Sequence, residues 1–139
     1  MLKQITRDKG QLEIKKMEFK KEKNEKKPTV FLVQENPYIN VLSAQEYGDI
    51  VLLFESGQQI MFSPQPAIKK LRRKLKDFDD NDYLLMMGDP AAMGIACCIA
   101  SDMNRGRFKI LKWDKIQKKY YSVSININEK GEIDEQDKL

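Results

Sequence analysis

From Thr29 onward the apolar positions come in short blocks separated by turn residues, and their period alternates between strand-like and helix-like. Val30-Phe31-Leu32-Val33 is a short apolar run bounded by Pro28 and by Asn36-Pro37, and Asp49-Ile50-Val51-Leu52-Leu53-Phe54 is a second. Both predict strands. Glu55-Ser56-Gly57-Gln58 reads as a turn into a third strand, Gln59-Ile60-Met61-Phe62, with Gly57 where a short hairpin needs positive φ. Between the first two strands, Pro37 to Gly48 is a twelve-residue connection whose one apolar pair is Val41-Leu42. Ser63-Pro64-Gln65-Pro66 supplies a capping hydroxyl and a proline for the first turn of a helix. Ile68, Leu71, Leu75 and Phe78 then follow at spacings of 3, 4 and 3, the stripe of a helix packed on one side.

Tyr83 to Met87 is a continuous apolar run, which predicts a strand covered on both faces. In the turn Gly88-Asp89-Pro90, the aspartate suits a helix cap and the proline suits the first helical position. Ala91 to Asn104 predicts a helix almost free of charge. Ala92, Ala96 and Ala100 line one row, and Gly94, Cys98 and Ser101 keep the next row small, so the axis can lie close to a sheet. Arg105-Gly106 stops it. Arg107 to Trp113 and Lys119 to Ile127 predict two strands joined by a turn around Asp114 to Lys118, with Tyr121, Val123, Ile125 and Ile127 facing one way.

The order β-β-β-α-β-α-β-β predicts one α/β domain over residues 28–128, with a mixed sheet of five to six strands and two helices. Its central β-α-β-α-β stretch predicts three parallel neighbours, and the outer hairpins should add antiparallel strands at the edges. Leu85, Ala96 and Ile125 are expected to be buried, Lys70 and Lys74 exposed. Residues 1–27 form a basic arm whose spacing fits a frayed helix, an edge strand or disorder equally well, and residues 129–139 an acidic tail.

With 139 residues, 41% apolar and 33% charged, the chain has the composition of one soluble domain. The longest strongly apolar stretch, Tyr83 to Ile99, is broken by Gly88-Asp89-Pro90 and is too short to span a bilayer. Met1 to Arg7 carry no apolar run, so no signal peptide and a cytoplasmic location are expected. There is no histidine. That excludes Ser-His-Asp and Cys-His nucleophile systems, histidine general bases and histidine-containing metal sites.

The two cysteines, Cys97 and Cys98, are adjacent, too few for a zinc site, and read as small buried residues of a reducing compartment. Asp77, Asp79, Asp80 and Asp82 fail the calcium-loop pattern, because its sixth and twelfth positions would be Asp82 and Gly88. They read as a solvated loop. The turn at Gly88 is the most site-like feature, since ligands of open α/β sheets favour the carboxyl ends of parallel strands. It matches neither phosphate-binding glycine motif, and Asp89 reads as a cap.

Charge changes the picture most. The net charge of +4 is carried by residues 1–27, where ten basic and five acidic residues give +5, leaving −1 for the remainder. Two basic sets stand out in the domain. Lys69, Lys70, Arg72, Arg73, Lys74 and Lys76 crowd the polar side of the first helix. Arg105, Arg107, Lys109, Lys112, Lys115, Lys118 and Lys119 interleave with Phe108, Trp113, Tyr120 and Tyr121. Cations to follow phosphates and rings to stack bases are what a single strand needs. Against this, Phe108 shares a face with Ile110 and reads as core, and Trp113 and Tyr120 are placed to pair across their turn. The nominated nucleic-acid contacts are Lys69, Lys70, Arg72, Arg73, Lys74, Arg107, Lys109, Lys112, Trp113 and Tyr120.

Asn81 to Pro90, the small-residue helix after it and Asn104 to Asp114 resemble small accessory proteins of marine tailed bacteriophages, cyanophage-like myoviruses in particular. The resemblance covers Phe62 to Ile127 and transfers no activity and no catalytic residue. It implies a phage accessory protein in the cytoplasm of an infected bacterium. The resulting expectation is a non-enzymatic protein that binds nucleic acid, or a nucleic-acid-processing machine, through basic surfaces, with no cofactor, catalytic residue or metal. The alternative is a protein–protein adaptor or an inhibitor of a host protein, self-associating through a sheet edge; the partner expected is nucleic acid or an acidic host or phage protein. A metal-dependent hydrolase built on Asp89 ranks third.

Overall fold

A computed structural model describes residues 26–58 and 64–130. The expected strand Gln59–Phe62, the cap at Ser63, and most of the arm and tail lie outside the described residues. The strands are β1 (Thr29–Gln34), β2 (Asp49–Phe54), β3 (Tyr83–Leu85), β4 (Arg107–Asp114) and β5 (Lys119–Asn126). Two α-helices, α1 (Pro64–Lys74) and α2 (Pro90–Met103), and a 3-10 helix at Leu42–Tyr47 complete the fold. The protein is thus α/β, with a five-stranded mixed sheet in the order β2-β1-β3-β4-β5.

β2, β1, β3 and β4 run parallel, and β5 pairs antiparallel with β4. This corrects one expectation. The amino-terminal strands do not add an antiparallel edge: β1 lies inside the sheet, parallel to β2 through register pairs such as Leu32↔Leu52 and to β3 through Leu32↔Leu85. The chain therefore leaves β1 toward one edge, returns across it, and continues toward the other. With crossovers of one hand, that reversal puts the connections on opposite faces. The layers agree. Phe31, Val33, Leu53, Leu84 and Phe108 pack with Leu71, Leu75, Ala92, Ala96 and Ala100 of the α-helical side. Val30, Leu32, Leu85, Leu111 and Tyr120 pack with Ala44 of the 3-10 helix.

The 3-10 helix occupies the connection that showed only one apolar pair. Val41, Ala44 and Tyr47 cover the sheet at every third position, the 3-10 period, while Leu42 is exposed. α1 buries Ala67, Leu71, Leu75 and Phe78 just beyond its end, with Ile68 packed at the margin. β3 is only three residues long but lies buried on both faces, through Leu84 and Leu85. Ala92, Ala96 and Ala100 are all fully buried, and Gly94 and Cys98 are exposed. Ile125 is half-buried, a correction that follows from β5 being the edge strand of the sheet among the described residues. Ala96→Leu is expected to cost about 1–3 kcal/mol by overpacking the α2–sheet contact. Thermal unfolding checks this, and an unchanged midpoint would mean that α2 does not lie close there.

The acidic run divides. Asp82, just before β3, is fully buried, whereas Asp77, Asp79 and Asp80 stay at the surface. Its carboxylate accepts the backbone N–H of Thr29 at 3.0 Å and of Asp79 at 3.0 Å, and pairs with the Lys26 ammonium. The sequence predicts a solvated loop here; one of the four is instead the polar anchor of the sheet's amino end.

Candidate functional site

The two connections that diverge beyond β1 and β3 leave a crevice at the carboxyl ends of the parallel strands, where open α/β sheets hold ligands. A cleft of about 980 Å³ fills it. Asn36, Tyr38, Ile39, Asn40 and Ser43 come from the chain after β1; Met86, Met87, Gly88 and Met93 from the chain after β3; Trp113, Lys115 and Tyr120 from the β4–β5 hairpin.

Gln34, the last residue of β1, lies against Gly88 of the cleft's lining. The side chain is buried, and its Nε2 donates to the carbonyls of Glu55 at 3.2 Å and Gln58 at 2.9 Å. Its Oε1 accepts the N–H of Asp89 at 2.7 Å. One amide thus ties the exit of β2 to the entry of α2. Gly88 adopts φ 103, and a Cβ there would lie 2.3 Å from Gln34 Cβ, so the turn needs glycine for its conformation and for the close approach. Asp89 caps α2 as expected, accepting Ala91 N–H at 3.0 Å.

The outer wall is built by two asparagine turns. Asn36 Oδ1 accepts Tyr38 N–H at 3.0 Å, and Asn40 Oδ1 accepts Leu42 N–H at 2.9 Å. Between them Tyr38 stands 94% exposed. Opposite, Trp113 and Tyr120 meet in a T-shaped contact with centroids 4.9 Å apart. Tyr120 is buried, and burial pushes its hydroxyl pKa up; Trp113 remains 44% exposed. The Tyr47 hydroxyl donates to the Tyr120 carbonyl at 2.9 Å and fastens the hairpin to the 3-10 helix. Sequence reasoning missed the asparagine wall, although two asparagines flanking Pro37-Tyr38-Ile39 are a turn signature with apolar residues at its tip.

The nominated cations are dispersed. α1 packs on β2 and α2, while the β4–β5 hairpin forms the opposite edge, so the two basic sets are not brought together. In α1, Lys69 and Arg73 are exposed, and Arg72 pairs with Asp102 at 2.9 Å. Lys70 and Lys74 are half-buried, contrary to expectation. Lys70 lies 5.2 Å from the centre of the Phe54 ring. Lys74 donates to the carbonyl of Leu52 at 2.7 Å, and burial, then Lys70 and Arg73, lower its pKa. Both long side chains fold back onto β2, where a lysine also obstructs pairing with another strand.

In the second set, Arg107 pairs with Asp80 at 3.2 Å, and Lys109 sits 4.1 Å above the Tyr83 ring. The Asn104 amide and then Arg107 hold the Asp80 carboxyl below its usual range. Arg107, Lys109 and Asp80 line a separate hollow of about 290 Å³, toward the amino end of β4. Lys112, Lys115, Lys118 and Lys119 are exposed around the hairpin turn, with no ion-pair partner among the described residues.

Cys97 is half-buried, with its thiol pKa raised by burial and by Cys98, while Cys98 is exposed on the outer row of α2. The expectation that both are buried therefore fails for Cys98. Among the described residues, no three Asp, Glu or Cys side chains are grouped to hold a metal. No described helix is long and apolar enough to cross a membrane.

Strand order, divided connections and crevice together define a small doubly wound α/β protein with an antiparallel edge strand. Residues 28–127 match the family model described as Phage Pam3 gp32-like protein, and the chain belongs to that family. The resemblance to phage proteins therefore stands, and it extends through β1 and β2; its narrowing to marine cyanophage-like viruses is not carried by the match. No curated protein and no solved structure matches the chain.

Proposed function

We propose that this phage-family protein is a non-enzymatic accessory module of the infected cell's cytoplasm that binds single-stranded nucleic acid at the tip of the β4–β5 hairpin. The supporting observation is Trp113, half-exposed on the lip of the cleft, among Lys112, Lys115, Lys118 and Lys119. Asp114 is the one acid in that stretch, and its Oδ1 accepts the N–H groups of Ile116 and Gln117. Rings supply about 1–3 kcal/mol per stacked base, and cations supply the salt-dependent remainder. The α1 surface contributes less, because Lys70, Arg72 and Lys74 already have intramolecular partners.

The test is titration of labelled single-stranded oligonucleotides at two salt concentrations. Each lost phosphate contact lowers the salt slope by about 0.7, so glutamine at all four hairpin lysines should lower it by about 2–3. Lys69→Gln with Arg73→Gln should leave it nearly unchanged. A parent protein that binds no oligonucleotide would overturn this reading.

A protein partner is the second reading, favoured by exposed Tyr38, Ile39, Leu42 and Ile116 on and beside the same cleft. Such a patch marks interaction surfaces. It is supported if the parent ignores nucleic acid, yet captures a protein from infected cells after nuclease treatment and loses it in Tyr38→Ser with Ile116→Ser.

A further inference from the structure

We infer that the cleft is a base pocket selective for thymine or uracil, an inference that rests on the single-strand reading above and sharpens it. The hydrogen-bonding groups that the cleft offers decide what it can hold. A backbone N–H can only donate, so the contacts from Tyr38 N and Leu42 N fix the side-chain oxygens of Asn36 and Asn40 inward to their own turns. Each Nδ2 is left with no acceptor among the described residues, on side chains that line the cleft. The Ser43 hydroxyl and the Lys115 ammonium line the same space. Gln34, the buried amide nearby, is fully engaged with backbone partners. Asp89 spends its Oδ1 on the cap of α2.

The asparagine Nδ2 groups and the Lys115 ammonium can only donate, whereas the Tyr38, Ser43 and Tyr120 hydroxyls serve either way, so the side-chain polarity of the cleft is biased toward donors. Its apolar walls are the thioethers of Met86, Met87 and Met93 and the Trp113–Tyr120 pair, polarisable surfaces that suit a flat ring. A ring held there must present acceptors to the asparagine wall. Thymine and uracil carry two carbonyl oxygens flanking a single ring N–H, which the Ser43 oxygen is suited to accept. On its Watson–Crick edge adenine sets an amino donor beside the single acceptor N1, so it offers this wall one acceptor where thymine and uracil offer two. Phosphates on either side of the base would meet Lys115 and the neighbouring hairpin lysines.

Trp113 is the only tryptophan in the chain, so its intrinsic fluorescence reports on the pocket directly. The experiment titrates the full chain with oligothymidylate and with oligoadenylate of equal length at one salt concentration. Oligothymidylate should quench Trp113 and bind about tenfold tighter, the scale of a matched base contact. Asn36→Asp and Asn40→Asp keep the oxygen that closes each turn and replace the outward donor by an acceptor. In each, the thymidylate-to-adenylate ratio should fall toward one, a ratio that cancels the added charge, while lysine-dependent binding to both strands persists. Equal affinity of the parent for the two strands, or a preference that survives both substitutions, overturns the pocket and leaves the hairpin reading standing. Absence of binding to either strand overturns both.

Discussion

Asp82→Ala should remove about 3–5 kcal/mol of stability, the cost typical of breaking a buried ionic network. That is a large part of the 5–15 kcal/mol of an ordinary domain. The carboxylate is fully buried, and it closes three gaps at once. Thr29 N–H opens β1, Asp79 N–H belongs to the loop after α1, and Lys26 leads into the sheet from the arm. Alanine would strand both amides, each costing about 1–3 kcal/mol when left unpaired out of water. The ammonium is partly exposed, so water recovers some of its loss. Lys26→Met should therefore cost clearly less than Asp82→Ala, since the carboxylate keeps both amides. Urea unfolding of the full chain measures all of this. A loss below about 1 kcal/mol for Asp82→Ala would show that the amino end of the sheet is not held by this side chain.

Much of the fold was legible because local pattern and tertiary role coincide. The alanine row at 92, 96 and 100 could only serve a close approach, and it is buried against the sheet. The unbroken run at Tyr83 to Met87 required cover on both faces and received it. Strand partners were not legible, because pairing is decided by which connection crosses which face. Even so, Val30 to Val33 is as unbroken as the run at Tyr83. The same physics that made β3 a buried parallel strand places β1 inside the sheet.

The candidate site was legible in part. The sequence points to the carboxyl ends of the strands and to the Gly88 turn, and both border the cleft. Charge was a poorer guide, because a lysine in the sequence carries no record of whether its stem lies on apolar surface. Lys70 and Lys74 lie back on β2, and Lys109 over Tyr83, so among the described residues fewer cations stay free, those of the hairpin turn, Lys112, Lys115, Lys118 and Lys119, among them. Asn36 and Asn40 left a turn signature, but which of their atoms faces outward is set only by the backbone N–H groups that each oxygen accepts.

Gly88→Ala should destabilise the protein by about 2–5 kcal/mol, adding backbone strain to overpacking. Gly57→Ala provides the comparison. Gly57 also has positive φ, at 77, but a Cβ there would meet nothing within 4 Å, so its cost is conformational alone, about 1–2 kcal/mol. At Gly88 the new methyl would collide with Gln34 Cβ, an atom fixed by β1 and unable to swing aside. Either the turn or the end of β1 must shift, and with it the amide that links Glu55, Gln58 and Asp89. The cleft is lined by Gly88, against which that network packs, so the alanine variant should also weaken oligothymidylate binding under conditions where it remains folded. Gly57→Ala, in the turn after β2, meets nothing with its new methyl and should bind as the parent does. Equal destabilisation by the two substitutions would mean that the Gln34 contact adds nothing to the strain of positive φ. Parent-like affinity in folded Gly88→Ala would detach the binding surface from the crevice between β1 and β3.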